Sequence, residues 1–382
     1  MKIIADQQIS YVQQAFSNIG EVTLVNGREI DTDLVHDADI LLVRFVTQVG
    51  NELLQDSPIK FVATATSGTD HIDIDYLKQS DISFTYAPGC NARSVAEYVL
   101  SNLFVLAEQK GFRLTDKTVG IIGCGEVGSR VLSFLEILGV SCVINDPPLK
   151  EKTGDNQYSD IADVLTADII TLHVPLVDDG LYPTRHLVDE NFLTQIKQDC
   201  VLINTSRGGV IDQTALKNHI KNKPECLVVL DVWADEPEID VELLSHVAIG
   251  TPHIAGYSID GKLQATYIIA QKIHDFFKKK LEWTIPTDIF LIEPLEIRIT
   301  ENLDMYDAAQ LAILSHYDPR SDAASLRRLS EISIQERANY FDALRKNYPV
   351  RHEFPATVIH LNETTKVFAN IYEQLGFKVE LH

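Results

Sequence analysis

Residues 118–128 read Thr-Val-Gly-Ile-Ile-Gly-Cys-Gly-Glu-Val-Gly, an apolar run leading into Gly123, Gly125 and Gly128. A lone GxGxxG is a weak signal. Here an apolar strand precedes it and an amphipathic helix follows, with Val127, Val131, Phe134, Leu135 and Leu138 on one face and Gly139 as its stop. In such a strand–turn–helix the first glycine permits the tight turn and the second lets the backbone approach a pyrophosphate. The third lets helix and strand pack closely, and the helix N-terminus faces the diphosphate. Asp146 ends the next strand, 18 residues after Gly128. A carboxylate there accepts hydrogen bonds from an adenosine ribose and repels a 2′-phosphate, so the expected cofactor is NAD rather than NADP. Taken alone, Asp146 is also an ordinary turn residue before Pro147-Pro148.

The glycine motif opens a series of six expected strands: 118–122, 141–145, 168–174, 200–204, 227–231 and 247–250. Six is the number in a complete dinucleotide-binding sheet. An earlier series, 2–5, 21–25, 39–43, 60–64 and 82–86, alternates with helical stretches in the same way. Strand–helix repetition of this kind predicts parallel sheets covered on both faces. A long apolar helix over about 91–108 separates the two series, and another runs from Gly261 through Phe277. Trp283 to Pro294 reads as a linker. The last ~90 residues read as a small α/β unit with strands near 295–300, 357–361 and 378–381.

With 33 Lys and Arg against 55 Asp and Glu, the formal charge is −22. Such a surface repels nucleic acid and anionic membranes, so neither is an expected partner. No apolar stretch approaches the ~18 residues that span a bilayer. The opening Met-Lys-Ile-Ile-Ala-Asp does not read as a secretory signal. The five cysteines are odd in number and show no CxxC spacing, which predicts free thiols, no metal site and a cytoplasmic location.

Ligands of doubly wound sheets bind beyond the carboxyl ends of the strands. Three loops after later strands are therefore expected to converge: Asn204-Thr-Ser-Arg207-Gly-Gly, Asp231-Val-Trp-Ala-Asp-Glu236-Pro, and Gly250-Thr-Pro-His253-Ile-Ala-Gly256-Tyr257. Together they supply the groups for alcohol–ketone redox chemistry. A histidine takes the hydroxyl proton as hydride leaves the carbinol carbon. A carboxylate holds the imidazolium, and an arginine forks onto the substrate's acid group. Local context alone leaves His71, His173 and His186 as alternatives among twelve histidines. It also does not choose among Asp235, Glu236 and Glu238.

Arg207, Glu236-Pro237 and Pro252-His253-Ile-Ala-Gly256 resemble the catalytic motifs of the D-2-hydroxyacid dehydrogenase family. The resemblance implies that Arg207 binds the substrate carboxylate, Glu236 orients the histidine and His253 is the acid–base. It implies NAD contacts at Asp146, Val174, Thr205, Ser206, Arg207, Asp231 and Gly256, besides the three glycines, and substrate contacts at Phe45, Thr66 and Tyr257. Two of these depart from the family's pattern, which has Ser at the position of Phe45 and Thr at that of Val174. The implied architecture is a flavodoxin-like substrate lobe (1–95 and 256–285), a Rossmann-type NAD domain (96–255) and a C-terminal α/β dimerisation domain (286–382).

The resemblance is closest to a branch of that family acting on a phosphorylated four-carbon acid, through Phe61–Asp73, Ala87–Asn91, Val229–Trp233 and His253–Tyr257. That branch carries an extra C-terminal unit as a homodimer interface. It implies NAD-dependent oxidation of 4-phospho-D-erythronate in vitamin B6 biosynthesis. The competing readings are a relative acting on glycerate, lactate or 3-phosphoglycerate, and a non-enzymatic NAD-sensing module of the same fold. In a two-fold dimer, Arg345 or Lys346 would be either solvated charges on the interface rim or arms reaching a phosphate in the partner's cleft.

Overall fold

The structure, a computed structural model, describes residues 1–286, 295–300 and 303–382. Residues 287–294 of the expected linker lie outside them. Contacts divide the chain into two compact units, residues 1–91 with 258–286, and residues 92–257 with the described C-terminal residues.

The first unit contains β1 (Lys2–Asp6), β2 (Glu21–Val25), β3 (Ile40–Val43), β4 (Phe61–Thr64) and β5 (Ser83–Tyr86). They form one parallel sheet in the order β2-β1-β3-β4-β5, the flavodoxin-like order expected. Its central strands are continuous apolar runs because both faces are covered. Ile3, Ala5, Ile40, Leu42, Phe61 and Ala63 pack on one side, with Ala265, Ile269 and Ile273 of the Ile259–Phe276 helix. Ile4, Leu41, Val43 and Val62 pack on the other. Each buried Val, Leu, Ile or Phe side chain among them contributes roughly 1.5–3 kcal/mol.

The second unit holds the six strands of the glycine-motif series: β6 (Thr118–Ile122), β7 (Ser141–Asn145), β8 (Ile169–Leu172), β9 (Val201–Asn204), β10 (Leu227–Leu230) and β11 (Ile249–Gly250). Their order is β11-β10-β9-β8-β6-β7, all parallel. The usual third strand of a dinucleotide-binding sheet, beyond β7, is reduced to a single bridge between Ile144 and Tyr158. The six expected strands are therefore the six observed, but β11 extends the far edge while the near edge is clipped.

The C-terminal strands β12 (Glu296–Ile299), β13 (Val358–Leu361) and β14 (Lys378–Leu381) make a parallel sheet of their own. A continuous apolar cluster joins this part to the NAD-type sheet through the Ala92–Lys110 helix, which is buried along nearly its whole length. The Glu126–Ile137 and Met305–His316 helices both pack against it, so it is buried on several sides. Its buried Glu97 accepts from Arg93 Nε at 2.9 Å and from the Phe354 backbone at 3.0 Å. Gly111, in the left-handed region at φ +70°, follows its last turn.

Candidate active site

The glycine loop has the geometry its spacing implies. Gly123 sits at φ +86°, where a Cβ would also meet the His173 carbonyl oxygen at 2.6 Å. A Cβ on Gly128 would lie 2.0 Å from the Gly123 oxygen, so helix and strand touch through the missing side chain. Gly125, at the helix N-cap, faces open space. The loop thus leaves a ligand access to backbone N–H groups at a helix start, which fits a dinucleotide diphosphate. Val174 lies against Gly123. Asp146 Oδ2 accepts from Cys124 N at 2.8 Å, and its Oδ1 accepts from Leu149 N at 3.0 Å. The same carboxylate therefore ties the glycine loop and caps the Pro147–Thr153 helix.

Beyond β9 and β10 the chain forms a cleft of about 190 Å³ lined by Leu176, Arg207, Trp233, Glu236 and His253 among others. All belong to the second unit. His253 Nδ1 lies 2.7 Å from Glu236 Oε2. The other carboxylate oxygen accepts from Trp233 N at 2.9 Å. Burial by itself would raise the Glu236 carboxyl. The charge and hydrogen bond of His253, the Arg345 guanidinium and the Trp233 N–H outweigh it and hold the carboxyl below its ordinary value. Arg207 donates from one terminal nitrogen to the Ser206 carbonyl at 2.8 Å.

The loop carrying His253 is anchored from below. Asp231, fully buried, accepts from Thr251 Oγ1 at 2.7 Å, Ile254 N at 2.8 Å and Ala255 N at 3.0 Å. Tyr98 extends the network, 2.6 Å from the Thr251 hydroxyl. The Asp231 side chain, expected as a cofactor contact, thus spends these hydrogen bonds on the loop. Ser206 is buried with both its N–H and hydroxyl on Asn204 Oδ1. Thr205 Oγ1 lies 3.3 Å from His173 Nδ1. Burial lowers His173 to about 3, so it stays neutral. Gly256 and Tyr257 follow directly in the anchored loop.

Phe45 and Thr66 belong to the first unit. Thr66 Oγ1 donates to the Gly68 carbonyl at 2.7 Å and closes a chain through Thr64 to buried His71. His71 therefore has a structural task there. Arg44, beside Phe45, is held by the buried Asp6 carboxylate at 2.9 Å.

Arg345 overturns one expectation. It is neither a rim charge nor an arm toward a partner, because its side chain is buried and its terminal nitrogen lies 3.9 Å from Glu236 of the same chain. Lys346 is exposed, as expected. Sequence reasoning also missed Arg351, which donates to Ser94 Oγ at 2.6 Å and to the Ile254 carbonyl at 3.1 Å. For Arg345, the four-residue spacing from Phe341 gives a shared helix face but not the surface that face meets.

Comparison with known proteins decides the family. Residues 94–255 match the D-isomer specific 2-hydroxyacid dehydrogenase NAD-binding domain, and residues 293–376 match a domain of unknown function. The erythronate-4-phosphate dehydrogenase of Hahella chejuensis is 44% identical over 363 residues, 94% of each chain. That of Escherichia coli O9:H4 is 43% identical over 385 residues, 100% of this chain and 99% of the relative. The chain belongs to the erythronate-4-phosphate dehydrogenase family. Among solved structures, D-lactate dehydrogenase of Aquifex aeolicus, complexed with NAD and lactic acid, superposes with a TM-score of 0.61 at 24% identity. It covers 73% of this chain and 96% of its own, which establishes the shared dehydrogenase fold. As an erythronate-4-phosphate dehydrogenase family member the chain is an NAD-dependent 2-hydroxyacid dehydrogenase. The NAD-sensing reading is not favoured. Among the described residues no helix is long and apolar enough to cross a membrane.

Proposed function

We propose that the chain oxidises 4-phospho-D-erythronate to 2-oxo-3-hydroxy-4-phosphobutanoate in pyridoxal 5′-phosphate biosynthesis. The observation that carries this is the convergence of Arg207, Glu236 and His253 on one cleft, in a chain alike along its whole length to enzymes of that name. NAD, when bound, supplies the hydride acceptor. Gly123, Gly125 and Gly128 seat its diphosphate, and Asp146 takes its adenosine ribose. Val174, Thr205, Ser206, Arg207, Asp231 and Gly256 complete the proposed cofactor contacts.

Arg207 holds the substrate carboxylate. His253 takes the C2 hydroxyl proton as the C2 hydrogen leaves with its electron pair, so the C2–O bond becomes a carbonyl. The proton ends on His253 and passes to solvent. Glu236 keeps the ring oriented and stabilises its charged form. Thr66 and Tyr257 enter the proposal as substrate contacts through the family resemblance. At Phe45 only the backbone remains for the contact that the family makes with a serine.

The test is turnover with NAD across 4-phosphoerythronate, erythronate, glycerate, lactate and 3-phosphoglycerate. The highest kcat/KM is expected for 4-phosphoerythronate. A clear preference for another acid would replace the substrate, and no turnover with any would remove the enzymatic reading. We also propose a homodimer formed through the C-terminal part, located in the cytoplasm. No disulfide links cysteines among the described residues, in keeping with a reducing compartment. Sedimentation of the full chain reads the dimer, and a monomer would reject it.

A further inference from the structure

The Ile334–Lys346 helix lies in the C-terminal part. Its two buried residues, Phe341 and Arg345, are four apart and share one face. Phe341 is fully buried in the apolar cluster that also contains Trp233, so the helix is docked on the NAD-type sheet beside the catalytic loops. Arg345 follows one turn on. Its guanidinium carbon lies 5.5 Å from the centre of the Tyr257 ring and 5.9 Å from that of Phe341. One terminal nitrogen lies 3.9 Å from Glu236 Oε2, the oxygen that meets His253 at 2.7 Å. The arginine side chain is 7% exposed.

Holding an arginine in so dry a place is costly unless other charge answers it. Glu236 Oε2 stands between an imidazole and a guanidinium. We infer that Arg345 is a positioning residue that acts through Glu236, fixing the carboxylate against His253 and setting how tightly the imidazole holds its proton. The inference rests on the pairing of His253 with Glu236 proposed above.

A carboxylate beside an imidazole favours the charged ring. A guanidinium on that same carboxylate draws off part of its field and repels the imidazolium. The ring then releases its proton more readily than with Glu236 alone, which suits a base working near neutral pH. The charged and polar groups facing this point are His253, Arg345, the Trp233 N–H and, across the cleft, Arg207. Asp235, Glu238 and Lys346 are exposed, and Asp342 is half-buried on the helix of Arg345.

The experiment compares pH profiles of kcat/KM for 4-phosphoerythronate oxidation in the full-length enzyme and in Arg345→Met, Arg345→Lys and Glu236→Gln. Oxidation needs the neutral ring, so the rate falls on the acid side. In Arg345→Met the acid limb should move to higher pH by about one unit, the scale of one neighbouring charge, and Arg345→Lys should restore most of it. Arg345→Gln serves in its place if the methionine variant does not fold. An acid limb that stays at the wild-type position overturns the inference, whatever happens to the rate. A defect confined to KM and larger for 4-phosphoerythronate than for erythronate also overturns it, and assigns Arg345 to the phosphate. Glu236→Gln separates the two levels. If its limb also stays in place, the His253–Glu236 pairing has failed. If it moves and that of Arg345→Met does not, only the role of Arg345 has failed.

Discussion

His253 faces Glu236 across 2.7 Å while its own backbone is left-handed, at φ 58°. A side chain other than glycine in that region costs on the order of 1–3 kcal/mol and persists only where its surroundings over-determine it. Here the His253 N–H donates to the Asp231 carbonyl at 2.7 Å, and the next two N–H groups donate to the Asp231 carboxylate. The ring is therefore aimed by its loop before any substrate arrives.

Glu236→Gln keeps the shape of the pair and removes its charge. The imidazolium loses its counter-ion, so the ring gives up its proton at lower pH. The acid limb of the oxidation profile should move down by about one unit or more. For reduction of the 2-oxo acid, which needs the protonated ring, the alkaline limb should move down as well. Initial rates in both directions over about pH 5–9, the range in which histidine side chains change charge, check the pair of shifts.

Asp231→Asn tests the anchor. An amide can accept at one oxygen only and presents its NH2 where backbone N–H groups already point. The cost should be about 1–3 kcal/mol for the lost and mismatched bonds, read as a lower urea midpoint with an unchanged slope. Turnover should fall with it, because His253 is no longer held. Wild-type stability and kcat together would mean that the carboxylate anchors nothing.

The two sheets and the glycine loop were legible in the sequence because local rules determine them. Apolar runs of four or five residues have one use in an α/β chain, and Gly123 and Gly128 fill positions where a Cβ has no room. The convergence of Arg207, Glu236 and His253 was legible only with the family motifs, since spacing alone did not separate Glu236 from Asp235 and Glu238. What escaped is what depends on long-range packing. Asp231 reads as a strand-end carboxylate like Asp146, and only the fold turns one under the catalytic loop and the other onto the glycine loop. Arg345 reads in the sequence as a solvated charge on an interface rim or an arm toward a partner's phosphate. Its burial follows from how Phe341 docks that helix, and no pattern within the helix specifies the surface it meets.

His316 should make stability depend on pH. Burial is the main cause that lowers it to about 4, while its bond to the His352 carbonyl acts the other way. Its Nδ1 lies 2.8 Å from Thr357 Oγ1. The unfolded ring takes up a proton near its ordinary pKa of ~6.5, so the unfolded state binds more protons between there and about 4. Stability from this group is fully present above pH ~6.5 and is lost as pH falls toward 4, by on the order of 3 kcal/mol. His173, lowered to about 3, acts with the same sign. His316→Gln should be less stable at pH 7.5 yet show a flatter decline below pH ~6.5. Parallel denaturation curves for both proteins across that window would reject the assignment.

Asp146 has two tasks that one substitution should separate. Its carboxylate caps the Pro147–Thr153 helix and ties the glycine loop through Cys124 N. Its free lone pairs remain for the ribose of the proposed cofactor site, and its charge opposes a 2′-phosphate. Asp146→Asn keeps an acceptor oxygen for capping, and asparagine caps about as well as aspartate. It should therefore keep the cap, lose roughly 1 kcal/mol or more because its NH2 replaces the oxygen that accepts from Cys124 N, and lose discrimination against NADP. Asp146→Ala loses both tasks. It should cost about 1 kcal/mol of stability for the cap and also weaken NAD binding, because the loop is no longer tied. Measuring NADH and NADPH affinity by fluorescence titration, beside urea midpoints for both variants, distinguishes the tasks. If Asp146→Asn still rejects NADP as strongly as the wild type, then charge at this position does not set the preference and the exclusion is steric.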